Sequence, residues 1–114
     1  MNKKRVHTPE GVRDVYGTEY GQRSKLKAKL NKVFASYGYE GIRTPGFEFF
    51  DVFNSEKGTV SAREMFKFFD REGNTLVLRP DVTPSIARCI AKYFNEENMG
   101  IRLSYAGNVF LNNS

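Results

Sequence analysis

The stretch Leu78-Arg79-Pro80-Asp81-Val82-Thr83-Pro84 constrains the fold of this chain more than any other. It joins the end of one apolar run to the start of a helical one, so a strand must hand over to a helix within a few residues. Thr83 is a helix-capping residue type, and Pro84 falls at the first helical position, where a missing amide hydrogen costs nothing. Upstream, Met65 to Phe69 and Thr75 to Arg79 flank Asp70-Arg71-Glu72-Gly73-Asn74, a longer hairpin turn in which Gly73 can take a positive φ. Downstream, Ile86, Ala87, Ile90, Ala91 and Phe94 give the buried stripe of a helix that ends near Asn95.

The flanking segments extend this hairpin-and-helix unit. Thr8 to Thr18, with Pro9, Gly11 and Gly17, reads as a loop pinned by Val12, Val15 and Tyr16. Thr18 to Tyr37 places Leu26, Leu30, Val33, Phe34 and Tyr37 at helical spacing, and Gly38 follows as the C-terminal cap. Tyr39 to Thr44 alternates as a short strand, with Tyr39, Gly41 and Arg43 on one face, until Pro45 ends it. Phe47, Phe49, Phe50, Val52 and Phe53 form a dense cluster for which core packing and a dimer interface are both open. Asn54 to Arg63 is polar and unpatterned, a loop. Ile101, Leu103 and Tyr105 alternate as a further strand, and Val109-Phe110-Leu111 looks like one entering a sheet three residues before the sequence stops. The fold class is α+β with a mainly antiparallel sheet and flanking helices, and residues 1–114 are expected to be the truncated front of one domain. Such a cut leaves an unpaired edge that invites self-association or swapping.

Composition excludes several classes. At 114 residues, 39% hydrophobic and 27% charged, the chain has the makings of one core and is too apolar to be disordered. Its 18 Lys plus Arg against 13 Asp plus Glu give a net charge of +5, but the positives are spread along a predicted helix (Arg23, Lys25, Lys27, Lys29, Lys32) and the terminus. A solvated face explains them better than a nucleic-acid surface. One cysteine, Cys89, and one histidine, His7, can form neither an internal disulfide nor a zinc site; a reducing, cytoplasmic setting fits. Cys89 lies in an apolar helical pattern and reads as a small buried hydrophobe. Met1-Asn2-Lys3-Lys4-Arg5 is not followed by a signal-peptide core, and no segment approaches the roughly 20 apolar residues of a membrane span.

Chemistry is signalled only at the junction. A helix start offers unpaired N–H groups and partial positive charge to an anion, and Asp81 can receive an ammonium group. Arg79, Asp81 and Thr83 together suit a zwitterion such as an amino acid. The competing account is structural: Asp81 and Thr83 cap the helix and Arg79 pairs with Asp81. Spacing alone favours that account. No glycine-rich phosphate loop, nucleophile elbow or metal-spaced His/Glu pair is present.

Four ordered motifs then carry a resemblance over nearly the whole chain. Thr8-Pro9-Glu10-Gly11-Val12-Arg13-Asp14-Val15 resembles the opening of histidyl-tRNA synthetases and their paralogues. Tyr37 to Glu48 is similar to their motif 1, where a helix, a strand and a proline build the dimer interface. Phe66 to Gly73 with Leu78 to Thr83 resembles the hairpin and amino-acid-binding strand, and Ile101 to Phe110 the entry to motif 2. Asp81, where synthetases usually carry Glu, together with Thr83-Pro84-Ser85-Ile86-Ala87-Arg88 and Tyr105-Ala106-Gly107-Asn108-Val109-Phe110, is more similar to the paralogous regulatory subunits of short-form ATP phosphoribosyltransferase. Leu111 stands where motif 2 of a synthetase has the arginine that engages the ATP phosphate and the amino-acid carboxylate; the paralogues often keep Arg there too. Leucine offers no charge, and the loss of that electrostatic term removes several kcal/mol from adenylate formation.

The resemblance therefore implies a non-catalytic regulatory subunit that needs no cofactor. It would associate with the catalytic ATP phosphoribosyltransferase chain as a hetero-oligomer, enable the first step of histidine biosynthesis and transmit feedback by histidine. Asp81 and Thr83 would contact the α-amino group of histidine, with Arg79 in support. Pro45, Phe47 and Phe49 would lie in a homodimer interface. Neither a membrane nor a nucleic acid is an expected partner. The alternative is the N-terminal part of an authentic histidyl-tRNA synthetase.

Overall fold

The computed structural model describes residues 6–54, 60–94 and 100–112. It divides into two compact units, residues 1–38 and 39–114.

In the first unit a tight turn precedes one long helix. Gly11 takes φ +89°, the Val12 N–H donates to the Pro9 carbonyl at 3.3 Å, and the Thr8 hydroxyl donates to the Val12 carbonyl at 2.8 Å. Helix α1 then runs from Gly17 to Ser36, one residue ahead of expectation at both ends. Gly38, at φ +82°, ends it by donating to the Ala35 carbonyl at 3.0 Å, as its position predicted. None of the α1 residues is buried; Leu26, Leu30 and Val33 form an apolar stripe at the surface.

Glu19 in the first turn of α1 accepts two hydrogen bonds from Arg13, at 2.8 and 2.7 Å, and lies 3.2 Å from Arg23. The Arg13 hydrogen bonds are the largest cause holding the Glu19 carboxyl at about 2, against an ordinary 4.5. A carboxylate depressed in the folded state stabilises it fully above its unfolded pKa and loses that contribution as pH falls through its folded pKa. The stabilisation is thus complete above about pH 4.5 and lost toward pH 2. An NMR titration of the Glu19 side chain should show this low midpoint, and Arg13→Ala should move it up toward the ordinary value.

The second unit is built on a three-stranded antiparallel sheet in the order β2-β4-β3, with β2 at Phe47–Phe49, β3 at Lys67–Phe69 and β4 at Thr75–Leu78. The β3–β4 hairpin forms where expected. Its turn is held by Asp70, whose Oδ1 accepts the Glu72 and Asn74 N–H groups at 3.0 and 2.9 Å while Gly73 sits at φ +84°. These bonds, led by the Asn74 side-chain amide on Oδ2, hold the Asp70 carboxyl below its ordinary range. Strand β4 is central, Val77 is fully buried, and Phe53 and Met65 pack with it as the core cluster, joined by Phe50, Val52 and Val60.

Two expected strands shrink to a parallel pair, β1 at Glu40–Gly41 and β5 at Leu103–Ser104. Pairing of the Tyr39 to Thr44 segment reaches the Ile42 N–H, which donates to the Ser104 carbonyl at 2.9 Å, and beyond it the Thr44 carbonyl accepts from the Arg79 side chain at 3.0 Å. The trio Val109-Phe110-Leu111 forms no strand; the Phe110 N–H donates to the Arg79 carbonyl at 2.9 Å and the Asn112 N–H to the Glu64 carbonyl at 2.7 Å. Part of the expected polar loop closes into a 3-10 turn, Ala62–Glu64, and residues 55–59 of that loop lie outside the described residues. Helix α2 spans Thr83–Tyr93, and Asn95, where its end was expected, also lies outside. Its inner face runs through Ser85 and Ile86, whereas Ala87 and Ala91 of the expected stripe are exposed.

Candidate functional site

The junction after β4 carries three side chains singled out by sequence, and the structure gives them different tasks. Thr83 begins α2, but its hydroxyl makes no capping bond. Instead Asp81 Oδ1 accepts the Thr83 N–H at 3.2 Å, so the carboxylate is the capping group and is drawn toward the helix start. Asp81 is half-buried and Thr83 exposed, so an acidic oxygen and a hydroxyl lie two residues apart at an accessible helix N-terminus. Such a pair can accept hydrogen bonds from an ammonium group.

Arg79 faces the interior. It is 9% exposed, and its guanidinium donates to carbonyl oxygens: Nε to Asn108 at 2.6 Å, and Nη1 to Thr44 at 3.0 Å and, more weakly, to Pro45 at 3.4 Å. These contacts tie the backbone of three segments around the junction together. Leu111 is exposed, with an apolar side chain at the position read as motif 2.

The segment leading into β2 borders a second feature. Between β2 and α2 lies a cleft of about 400 Å³, walled by Pro45, Glu48, Phe49, Arg88, Cys89 and Lys92 among others. Cys89 is half-buried at this wall, not enclosed in the core as its apolar surroundings suggested. Pro45, Phe47 and Phe49, the candidate interface residues, are all exposed. Phe47 meets Phe68 edge to face at 5.5 Å between ring centroids. Glu48, between the two exposed phenylalanines, points the other way and is buried. Its Oε1 lies 2.8 Å from Arg88 Nε, a close ion pair in which the N–H is not aligned on the carboxylate, and its Oε2 has no hydrogen-bond partner. The only signal for this pair was the alternation Phe47-Glu48-Phe49, which puts an acid on the inner face.

Among the described residues no group of three His, Cys, Asp or Glu could hold a metal ion, and no helix is long and apolar enough to cross a membrane.

Comparison with known proteins bears on all four motifs. A family model described as histidyl-tRNA synthetase matches residues 11–114. An ATP phosphoribosyltransferase regulatory subunit from Acetivibrio thermocellus is 42% identical over 96% of this chain and 26% of its own length. Among solved structures, an ATP phosphoribosyltransferase regulatory subunit/histidyl-tRNA synthetase from Bacillus halodurans C superposes with a TM-score of 0.82 at 31% identity, covering 93% of this chain and 28% of that one. Apo histidyl-tRNA synthetase of S. aureus does so with a TM-score of 0.77 at 30% identity, covering 92% and 29%. This chain thus spans about a quarter of the length of the curated relatives it matches. The class II synthetase-like α+β fold expected from the motifs is the fold found, and the chain belongs to the histidyl-tRNA synthetase family.

Proposed function

We propose that this chain belongs to a regulatory subunit of ATP phosphoribosyltransferase that senses histidine and does not activate it. The observation that carries the reading is the combination at the site: Asp81 is held at an accessible helix start, while the motif 2 position bears exposed Leu111. The first can take the ammonium group of an amino acid; the second lacks the charge that adenylate formation needs. The 42% identity to proteins named as regulatory subunits supports the same reading. Histidine, bound through Asp81 and Thr83, would then bias the states of a catalytic partner by a coupling free energy of ~1–3 kcal/mol. Pro45, Phe47 and Phe49 supply an exposed apolar surface for a homodimer. The protein works in the first step of histidine biosynthesis, in the cytoplasm, without a cofactor of its own.

Full-length protein should co-purify with the short catalytic chain of ATP phosphoribosyltransferase, restore its activity, and make that activity sensitive to histidine. Absence of a complex sinks the reading. Asp81→Ala removes a charged acceptor worth about 1.5–3 kcal/mol, so the histidine concentration for half-inhibition should rise about tenfold or more. The likeness to the S. aureus enzyme keeps one rival in view, a histidyl-tRNA synthetase. Histidine-dependent exchange between ATP and pyrophosphate by the full-length protein would decide for the synthetase.

A further inference from the structure

Arg79 is buried, permanently charged, and donates to oxygens that carry no formal charge, an arrangement that costs desolvation without the return of an ion pair. What it accomplishes is geometric. Its main-chain N–H donates to the Gly46 carbonyl at 2.9 Å, and its own carbonyl accepts the Phe110 N–H at 2.9 Å. Its guanidinium adds the carbonyls of Asn108 at 2.6 Å and Thr44 at 3.0 Å. One residue therefore joins three segments far apart in sequence: the one before β2, the end of β4, and the one after β5. Gly107 is shaped to this. A Cβ there would run into Arg79 Nη2, with Arg79 Cζ at 3.2 Å, whereas one at Gly41, Gly46, Gly73 or Gly100 would meet nothing within 4 Å.

We infer that Arg79 is the positioning residue of the amino-acid site, acting through Asp81, and that Gly107 is glycine to admit it. The inference rests on the proposed reading of Asp81 as the ammonium acceptor. Only Pro80, itself buried and fixed in φ, separates Arg79 from Asp81, so a displacement of Arg79 passes directly to the carboxylate. Asp81 is held on its other side by the Thr83 N–H. Lysine cannot replace the guanidinium, because an ammonium group lacks the planar fork that reaches Asn108 through Nε and Thr44 through Nη1.

The test compares two ligands on the full-length protein by calorimetry: histidine, and imidazolepropionate, which lacks the α-amino group. Asp81→Ala should lower the preference for histidine over imidazolepropionate about tenfold, the value of one charged hydrogen bond. Arg79→Lys should lower the same ratio to a similar degree, and Gly107→Ala, which keeps the arginine but displaces it, should do so independently if the lysine variant folds poorly. A residue that merely stabilises the fold weakens both ligands by one factor and leaves the ratio unchanged; that result in both variants overturns the inference. An unchanged ratio in Asp81→Ala, or no binding of histidine by the wild-type protein, overturns the site reading itself and the inference with it.

Discussion

Phe53→Ala should lower the stability of the protein by about 3–5 kcal/mol, whereas Phe49→Ala, four residues away, should lower it by less than about 0.5 kcal/mol in dilute solution. Phe53 is 4% exposed and packs on Met65 and fully buried Val77, so truncation leaves a cavity against the central strand β4. A closely packed core does not collapse to fill such a space, and the lost contacts add to the lost transfer free energy. Phe49 is 55% exposed and gives up little on truncation. Its cost should appear elsewhere: if the exposed aromatic face forms the proposed homodimer, Phe49→Ala weakens self-association by about 1–2 kcal/mol or more, the range of an aromatic interface residue. Urea denaturation at low and high protein concentration separates the two effects. A large loss for Phe49→Ala at low concentration would show that this side chain belongs to the core.

That contrast marks what could be read in advance. The aromatic run from Phe47 to Phe53 left core and interface equally open because hydrophobicity does not record direction; the fold assigns Phe53 inward and Phe47 and Phe49 outward. The β3–β4 hairpin and both helices were legible because their signals are local: Gly73 and Gly38 at positive φ, Pro84 in a first turn, an alternation of a few residues. The strands around residues 40 and 103 were legible in kind but not in length, since past Ile42 the segment's partner is a side chain 35 residues distant, Arg79 on the Thr44 carbonyl, which alternation does not record. Arg79 itself shows the limit of spacing arguments. Beside Asp81 and Thr83 it reads as a surface or ligand group, and only the approach of Thr44 and Asn108 makes it an interior tie. Of the two residues expected to cap the helix, Asp81 accepts an N–H of its first turn while Thr83 is itself the first helical residue, a distinction of two positions that no propensity resolves.

The pair formed by Glu48 and Arg88 should respond unequally to loss of either partner. The Glu48 side chain is 7% exposed and one of its oxygens has no hydrogen-bond partner, while Arg88 is 33% exposed and can turn to solvent. Arg88→Met therefore strands a buried carboxylate and should cost about 2–4 kcal/mol, the lower part of the range for breaking a buried pair because Arg88 is partly hydrated in the first place. Glu48→Gln keeps the shape, removes the charge, and leaves a guanidinium with access to water; about 1 kcal/mol is expected. The double replacement Glu48→Leu with Arg88→Met exchanges the pair for apolar groups of similar volume and should recover most of the loss of the single arginine variant, since the desolvation of both charges disappears with them. Thermal unfolding of the four proteins measures this, each kcal/mol appearing as about 4–8 °C in a domain of this size. Equal losses for the two single variants would mean that the pair is as well hydrated as a surface bridge. Because Glu48 and Arg88 also wall the cleft beside Pro45 and Phe49, the double variant poses a sharper question than stability alone. A protein as stable as the wild type that no longer self-associates would place the charges of this cleft in the proposed dimer interface, and one that associates unchanged would confine them to the fold.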